Sequence, residues 1–311
     1  NLGTPNAPNP SAVRRYLAEF LSDRRVVEIP RALWLPILYG LVLPTRPKKS
    51  AAKYAQIWLG DKGSPLLHYT ELQTAGLQAR CGDKAKVYTA MRYGQPALPA
   101  VLSQAQADGA QRIIILPMYP QYSGTTTASV FDSAAAWSAQ QRHIPSLTII
   151  SDFHQHPAYI AALAAQVQAH WQQHGRAQKL LLSFHGLPQR CVDLGDPYAA
   201  QCQQTAALLA AALQLPPDAW QISFQSRFGK AKWLEPATDR SLMALAAQGC
   251  ASVEVFCPGF VADCLETLEE IAIENRDIFI QAGGQDLRFI PCLNDSPAWL
   301  DALAQMAHEV L

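Results

Sequence analysis

The chain has 311 residues, 49% apolar and 16% charged, and its 25 basic and 25 acidic side chains give a formal net charge of zero. This is a globular composition long enough for two cores, and it excludes a disordered chain and a broadly basic nucleic-acid surface. The seven cysteines (Cys81, Cys191, Cys202, Cys250, Cys257, Cys264 and Cys292) are odd in number and form no C-x-x-C pair, which argues against a zinc knuckle or disulfide framework and for reduced thiols in a cytoplasm.

The opening residues, Asn1-Leu2-Gly3-Thr4-Pro5, lack the basic start and apolar core of a signal peptide. With no initiator Met, the expectation is that further residues precede them. A helix is predicted over 11–21. The apolar stretch 32–43, interrupted by Pro36 and Gly40, is too short to cross a bilayer. It reads either as a hydrophobic lip able to touch a membrane surface or as a buried segment. Beyond it, short β-branched runs alternate with longer Ala/Leu/Gln-rich runs. Strands are predicted over 86–91, 112–117, 147–152, 179–184, 221–225, 252–256 and 287–291. Helices are predicted over 66–80, 97–108, 125–141, 158–173, 197–214, 238–248, 262–275 and 296–310. This rhythm implies parallel sheets covered by helices on both faces. It occurs twice, with a break near Asp152, and so suggests two Rossmann-like halves and a cleft between them. In such sheets ligands bind beyond the carboxyl ends of the strands.

Four segments follow strands and carry reactive groups. Met118-Tyr119-Pro120-Gln121-Tyr122-Ser123-Gly124 could line a flat aromatic pocket, although Ser123 and Thr125 read more simply as helix caps. Ser183-Phe184-His185-Gly186-Leu187-Pro188 puts a histidine at a strand end. The turn continues to Gly195-Asp196-Pro197-Tyr198, with Asp196 as expected N-cap and Pro197 as first helical residue. His185 can accept a proton or ligate a borderline metal, or simply bond within its loop. Gln225-Ser226-Arg227-Phe228-Gly229-Lys230 with Trp233 offers cations and aromatics. After Cys257-Pro258-Gly259, the carboxylates Glu266, Glu270 and Glu274 recur at i, i+4 and i+8 and should share one helix face, where like charges repel. Such a row suits the passage of cations or protons. For Glu270 and Glu274 alone a solvated face is the simpler reading, whereas Glu266 lies in the first turns. His154 and His156 fit a surface turn better than a metal site, and His68, His143, His170, His174 and His308 read as structural or solvent-facing. No G-x-G-x-x-G, G-x-S-x-G or H-E-x-x-H motif is present.

The histidine segment with its Gly-Asp-Pro-Tyr block resembles the signature of the ferrochelatases. Tyr119-Pro120-Gln121-Tyr122-Ser123, Met91-Arg92-Tyr93-Gly94, Ala262-Asp263-Cys264-Leu265-Glu266-Thr267-Leu268, Asn1-Leu2-Gly3-Thr4-Pro5 and Tyr16-Leu17-Ala18-Glu19-Phe20-Leu21 resemble further blocks, in order along the chain. The resemblance implies a chelatase-type fold: a first Rossmann-like domain over 1–152 with a porphyrin-facing lip, a second over 153–294, and a C-terminal helix (295–311) packing back on the first. It implies insertion of Fe²⁺ into a porphyrin, with protoporphyrin IX the expected substrate, in haem biosynthesis. His185 and Glu266 are implied at the metal-insertion centre, and Glu270 and Glu274 on an acidic helix with a π-helical portion. Tyr16, Tyr122, Ser123 and Trp233 are implied to face the porphyrin, and Arg24, Arg25, Arg227 or Lys230 to hold its propionates.

Three departures shape the expectations. Gly124 stands where some relatives carry a cluster-ligating cysteine, so no [2Fe–2S] centre and no resident cofactor is expected. Cys264 stands where many members have histidine, and is read as a helix residue rather than a soft ligand. The family's opening strand is expected to lie before Asn1. No nucleic-acid partner is implied; peripheral membrane contact and a monomer or weak dimer are. Three rivals remain: a chelatase placing Co²⁺ in sirohydrochlorin, a non-catalytic two-lobed haem or ligand carrier, and a nucleotide-dependent transferase. The Gly-Asp-Pro-Tyr block weighs against the first and the missing glycine-rich loop against the last.

Overall fold

A computed structural model describes residues 1–229 and 231–311. The chain divides into two compact units, Asn1–Asp152 with Ala307–Leu311, and Phe153–Met306.

In the first unit, the helix Pro10–Ser22 starts where Asn9 accepts the Ala12 N–H at 2.9 Å and Pro10 takes the first turn, whose missing N–H costs nothing there. The stretch read as a lip or buried segment is helical throughout: Arg31–Ile37, a π-helical turn Leu38–Val42, then Leu43–Ile57. Pro36 and Gly40 did not break it, and Ile29, Leu33, Ile37, Tyr39 and Leu41 stay exposed while Leu38 and Leu43 are buried. Helices Pro65–Cys81 and Leu98–Ala107 follow. Strand β1 (Arg112–Ile115) pairs in parallel with β2 (Ser146–Ile149), and the helix Thr127–Ser138 lies between them in sequence. Leu98, Leu102, Ile115, Val130, Ala134 and Trp137 form the core under them.

The strand expected over 86–91 does not form a ladder among the described residues. The Val87 N–H goes to the Gln78 side chain, and Met91 N–H turns to Pro96 O. Met91 and Tyr93 make only isolated bridges. One of these brings Gly3 so close to Tyr93 that a Cβ would sit 1.8 Å from its carbonyl oxygen, so only glycine fits.

The second unit has the fuller sheet. Strands β3 (Lys179–His185), β4 (Trp220–Gln225), β5 (Ser252–Phe256) and β6 (Asp286–Ile290) run parallel in the order β4-β3-β5-β6. Leu181, Val253 and Val255 are buried on both sides, with Leu242, Leu245, Ile271 and Phe279 packed against them. A strand covered on both faces needs no polar–apolar alternation, which is why β3 reads as a continuous apolar run.

The last helix, Pro297–His308, was expected on the first domain. Instead Trp299, fully buried, packs 5.9 Å from the rings of Phe153 and Tyr159, and the helix clusters with the second unit as far as Met306. An aromatic of that size draws its helix to whichever core it fills.

Candidate functional site

Sheet order fixes where chemistry can occur. In the second unit the chain leaves β3 toward β4 on one side and returns to β5 on the other, so the order reverses between β3 and β5. A crevice opens beyond the carboxyl ends at such a switch point. His185 is the last residue of β3, and Glu266 stands in the first helical turn after β5. Leu182 pairs with Phe256, the last residue of β5, so β3 runs three residues further, roughly 10 Å at strand rise. Phe260, in the turn after β5, lies 6.4 Å from the imidazole.

The His185 ring is set by its own backbone. Nδ1 lies 2.6 Å from Gly186 O. A carbonyl only accepts, so Nδ1 carries the hydrogen and Nε2 of the neutral ring presents a lone pair. The His185 carbonyl in turn takes the Tyr198 O–H at 3.0 Å, and burial lifts that phenol well above its usual pKa. Asp196 accepts the Tyr198 N–H at 3.0 Å, while the helix begins at Tyr198 with Pro197 at the cap position, one residue later than expected.

Gly186 has no room for a side chain, since a Cβ would lie 2.5 Å from Gln225 O and 3.2 Å from the Trp233 ring. Its N–H donates to that Gln225 carbonyl at 2.7 Å, and Leu234 N–H donates to Leu187 O at 2.9 Å. Trp233, held to Phe228 O by its indole N–H at 2.9 Å, is thereby placed against the histidine turn.

The acidic helix departs from the simple row. It comprises Leu265–Leu268, a π-helical segment Glu270–Asn275 and Arg276–Gln281. Residues 262–264, expected as its first turn, lie before it. Glu274 N–H reaches Glu269 O at 2.9 Å, five residues back, and the Asn275 amide donates to Glu270 O at 2.7 Å. The wider turn breaks the i+4 register, so the carboxylates have different surroundings: Glu266 and Glu270 are half-buried, Glu274 is exposed. Glu270 is not the solvated group its sequence suggested. Its carboxylate accepts the Ser226 N–H at 2.7 Å and the Ser226 hydroxyl, and Ser226 itself holds φ of 62°. Burial raises the Glu270 pKa from its ordinary value; the Ser226 hydroxyl and the nearby His185 oppose that, and Glu266 adds to it.

The base of this helix is locked by Asp263. Its carboxylate accepts from Asn294 at 2.7 Å, Thr267 at 3.0 Å and Cys292 N–H at 3.3 Å, and its N–H donates to Asn294 at 2.8 Å. Burial raises its pKa. Cys264 caps the helix, with Thr267 answering in a capping box, and burial keeps its thiol well above the usual pKa. A cap and an undissociated thiol fit a helix residue better than a ligand. Gln225, Ser226, Tyr198 and Asp263 lie in the quoted segments without a role of their own there, because local pattern does not show their partners.

The proposed propionate cations fare unevenly. Arg227 donates to both Asp239 oxygens at 2.7 and 2.8 Å, and Arg25 grips Asp132 at 2.7 and 3.0 Å. Arg24 is exposed, and Lys230 lies outside the described residues. In the first unit Tyr16 is buried and stacks 5.9 Å from Phe20. Tyr122 and Ser123 lie on the loop after β1. The expected capping by Ser123 and Thr125 does not occur: the helix starts at Thr127, and Ser123 Oγ accepts the Thr125 N–H at 3.2 Å in a local turn. His154 bonds Gln204 at 2.7 Å and His156 caps the helix Pro157–His174, both structural uses.

The family model described as Ferrochelatase matches residues 1–311 of the chain. The chain belongs to the ferrochelatase family. A ferrochelatase of Methylibium petroleiphilum is 55% identical over 310 residues, covering 99% of this chain and 85% of the relative. A ferrochelatase of Polaromonas sp. is 54% identical over 310 residues, covering 99% and 84%. Among solved structures, SirB from Bacillus subtilis, determined with Fe³⁺, superposes with a TM-score of 0.56 at 12% identity, covering 79% of this chain and 91% of SirB. That likeness carries the chelatase fold alone. In this ferrochelatase-family chain no helix among the described residues is long and apolar enough to cross a membrane. Among the described residues no group of three or more His, Cys, Asp or Glu is arranged to hold a metal ion.

Proposed function

We propose that this chain is a working ferrochelatase, a lyase of haem biosynthesis that inserts Fe²⁺ into a free-base porphyrin, with His185 and Glu266 at the insertion centre. The observation that carries the assignment is the tautomer of His185. With Nδ1 donating to Gly186 O, the ring offers Nε2 as a base or ligand at the switch point of the sheet.

Insertion releases two pyrrole protons, so a base must meet the ring nitrogens. His185 Nε2 takes a proton, and the carboxylates of Glu266 and Glu270 lower the cost of the imidazolium that results. Glu270 and Glu274 continue the acidic path along the helix. Iron is substrate and the porphyrin supplies its four nitrogens, so the protein needs no closed metal cage and no resident cofactor. Nitrogen and carboxylate donors discriminate weakly among divalent metals, so Zn²⁺ and Co²⁺ are also accepted. Protoporphyrin IX is the proposed macrocycle, with Trp233 proposed to face it. The exposed Ile29, Leu33, Ile37, Tyr39 and Leu41 suit peripheral contact with a membrane surface. Seven cysteines with no C-x-x-C pair suit a cytoplasmic protein, and a monomer or weak dimer is the proposed state.

The test follows metalloporphyrin formation by absorbance with protoporphyrin IX and coproporphyrin III. Turnover that needs Fe²⁺ and is lost in a folded His185→Ala variant supports the assignment. Wild-type rates in that variant remove His185 from the reaction.

A further inference from the structure

The segment holding Glu266 is a four-residue helix, Leu265–Leu268, giving way to a π-helix. So short a piece is not held by its own ladder. His185 sits at the other side of the switch point, at the very end of β3. Something outside both must fix their spacing, and the hydrogen bonds converge on one buried side chain.

Gln225 ends β4, pairs in register with His185, and is 3% exposed. Its backbone carbonyl takes the Gly186 N–H at 2.7 Å. Its Nε2 donates to the Glu266 carbonyl at 2.6 Å, and its Oε1 accepts the Ser183 hydroxyl at 2.7 Å and the Cys257 thiol at 3.5 Å. Because the Glu266 carbonyl can only accept, the amide nitrogen is the end that faces it. Ser183 is further tied to Thr238 at 2.8 Å, and Thr238 to Ser223 at 2.9 Å. All three hydroxyl residues are buried, so water is not at hand to replace a lost partner.

We propose that Gln225 is a positioning residue of metal insertion, clamping the His185 turn through its backbone and the Glu266 turn through its amide. This rests on the assignment of those two residues above. Gln225 does not touch the porphyrin. It holds the base and the carboxylate at a fixed separation, and displacements near 1 Å at such sites cost on the order of a hundredfold in rate.

The experiment compares wild type, Gln225→Met and Gln225→Glu in the metalloporphyrin assay, with Leu163→Ala as a core variant remote from the site. Methionine matches the length of glutamine and removes all three amide contacts. Glutamate keeps the acceptor for Ser183 and removes the donor to Glu266, so it reads the clamp even where Gln225→Met fails to fold. The expected result is a ten- to hundredfold fall in kcat with KM for porphyrin and Fe²⁺ within twofold, while Leu163→Ala loses Tm but keeps kcat within twofold. A folded Gln225→Glu or Gln225→Met with wild-type kcat overturns the clamp, as does a loss that Leu163→Ala reproduces at equal Tm. Wild-type turnover in the same assay separates the two readings: without it the insertion activity itself fails, and with it only the clamp is at stake.

Discussion

Around His185 the fixing contacts run through backbone: the ring to Gly186 O, the Gly186 N–H to Gln225 O, and the His185 carbonyl to Tyr198. Around the acidic helix they run through side chains, with Ser226 on Glu270, Gln225 on Glu266, and Asn294 and Thr267 on Asp263. The first arrangement follows from a strand and a tight turn. The second gathers carboxylates in burial, where charge is costly, and needs donors from Ser226, just after β4, and from the residues after β6 to hold them. The imidazole is thus held by backbone and the acidic wall by donors distant in the chain.

The largest effect expected is on the base itself. His185→Ala should lower kcat by about 10²–10⁴, the range for a lost general base, with the fold intact by circular dichroism. A mild loss would mean that the acidic wall, not the imidazole, dominates. Next comes the anchor of the wall. Asp263→Ala strands Asn294, Thr267 and the Cys292 N–H, and should cost about 3 kcal/mol in urea unfolding. A neutral result would show that the helix stands without it.

Gly186→Ala tests the rigid side. A Cβ 2.5 Å from Gln225 O must push two strands apart, at about 2 kcal/mol of stability and with a clear loss of rate. Tyr198→Phe removes the bond to the His185 carbonyl and the hydroxyl's contact with Cys202, and should cost about 1 kcal/mol.

The smallest effect probes charge on the wall. Burial raises the Glu270 pKa in the folded state, so the folded chain binds its proton more tightly than the unfolded chain. Its stability contribution is therefore lost as pH rises from the ordinary carboxylate value through the raised one. Glu270→Gln removes that loss. Its Tm should exceed wild type slightly at pH 7 and match it below pH 4, and a gain confined to acid would reverse the sign of the argument.

Several of these features could be read before any coordinates. The continuous apolar run of 179–184 marks a doubly covered strand, and a strand ending in His-Gly-x-Pro puts the imidazole at its mouth. The spacing of Glu266, Glu270 and Glu274 reads only as a straight helix. The π-turn that sorts them into half-buried and exposed positions depends on Asn275 and Ser226, which no local pattern ties to Glu270. Residues 31–57 defied reading for a related reason: Pro36 and Pro47 sit inside helices whose packing, such as that of Leu38 and Leu43, outweighs propensity. The last helix clusters with the second unit as far as Met306, where Trp299 is buried.

By itself the sequence determined the alternation of strands and helices, the strand end at His185, the helix after β5 and the family, because these rest on periodicity and on residues adjacent in the chain. Tertiary structure alone decided which carboxylates are pressed into the protein, and that Gln225 joins the two sides. Those outcomes depend on hydrogen bonds between residues about 40 positions apart, such as Gln225 with Glu266 and Ser183 with Gln225, and such pairs exist only once the sheet order has brought them together.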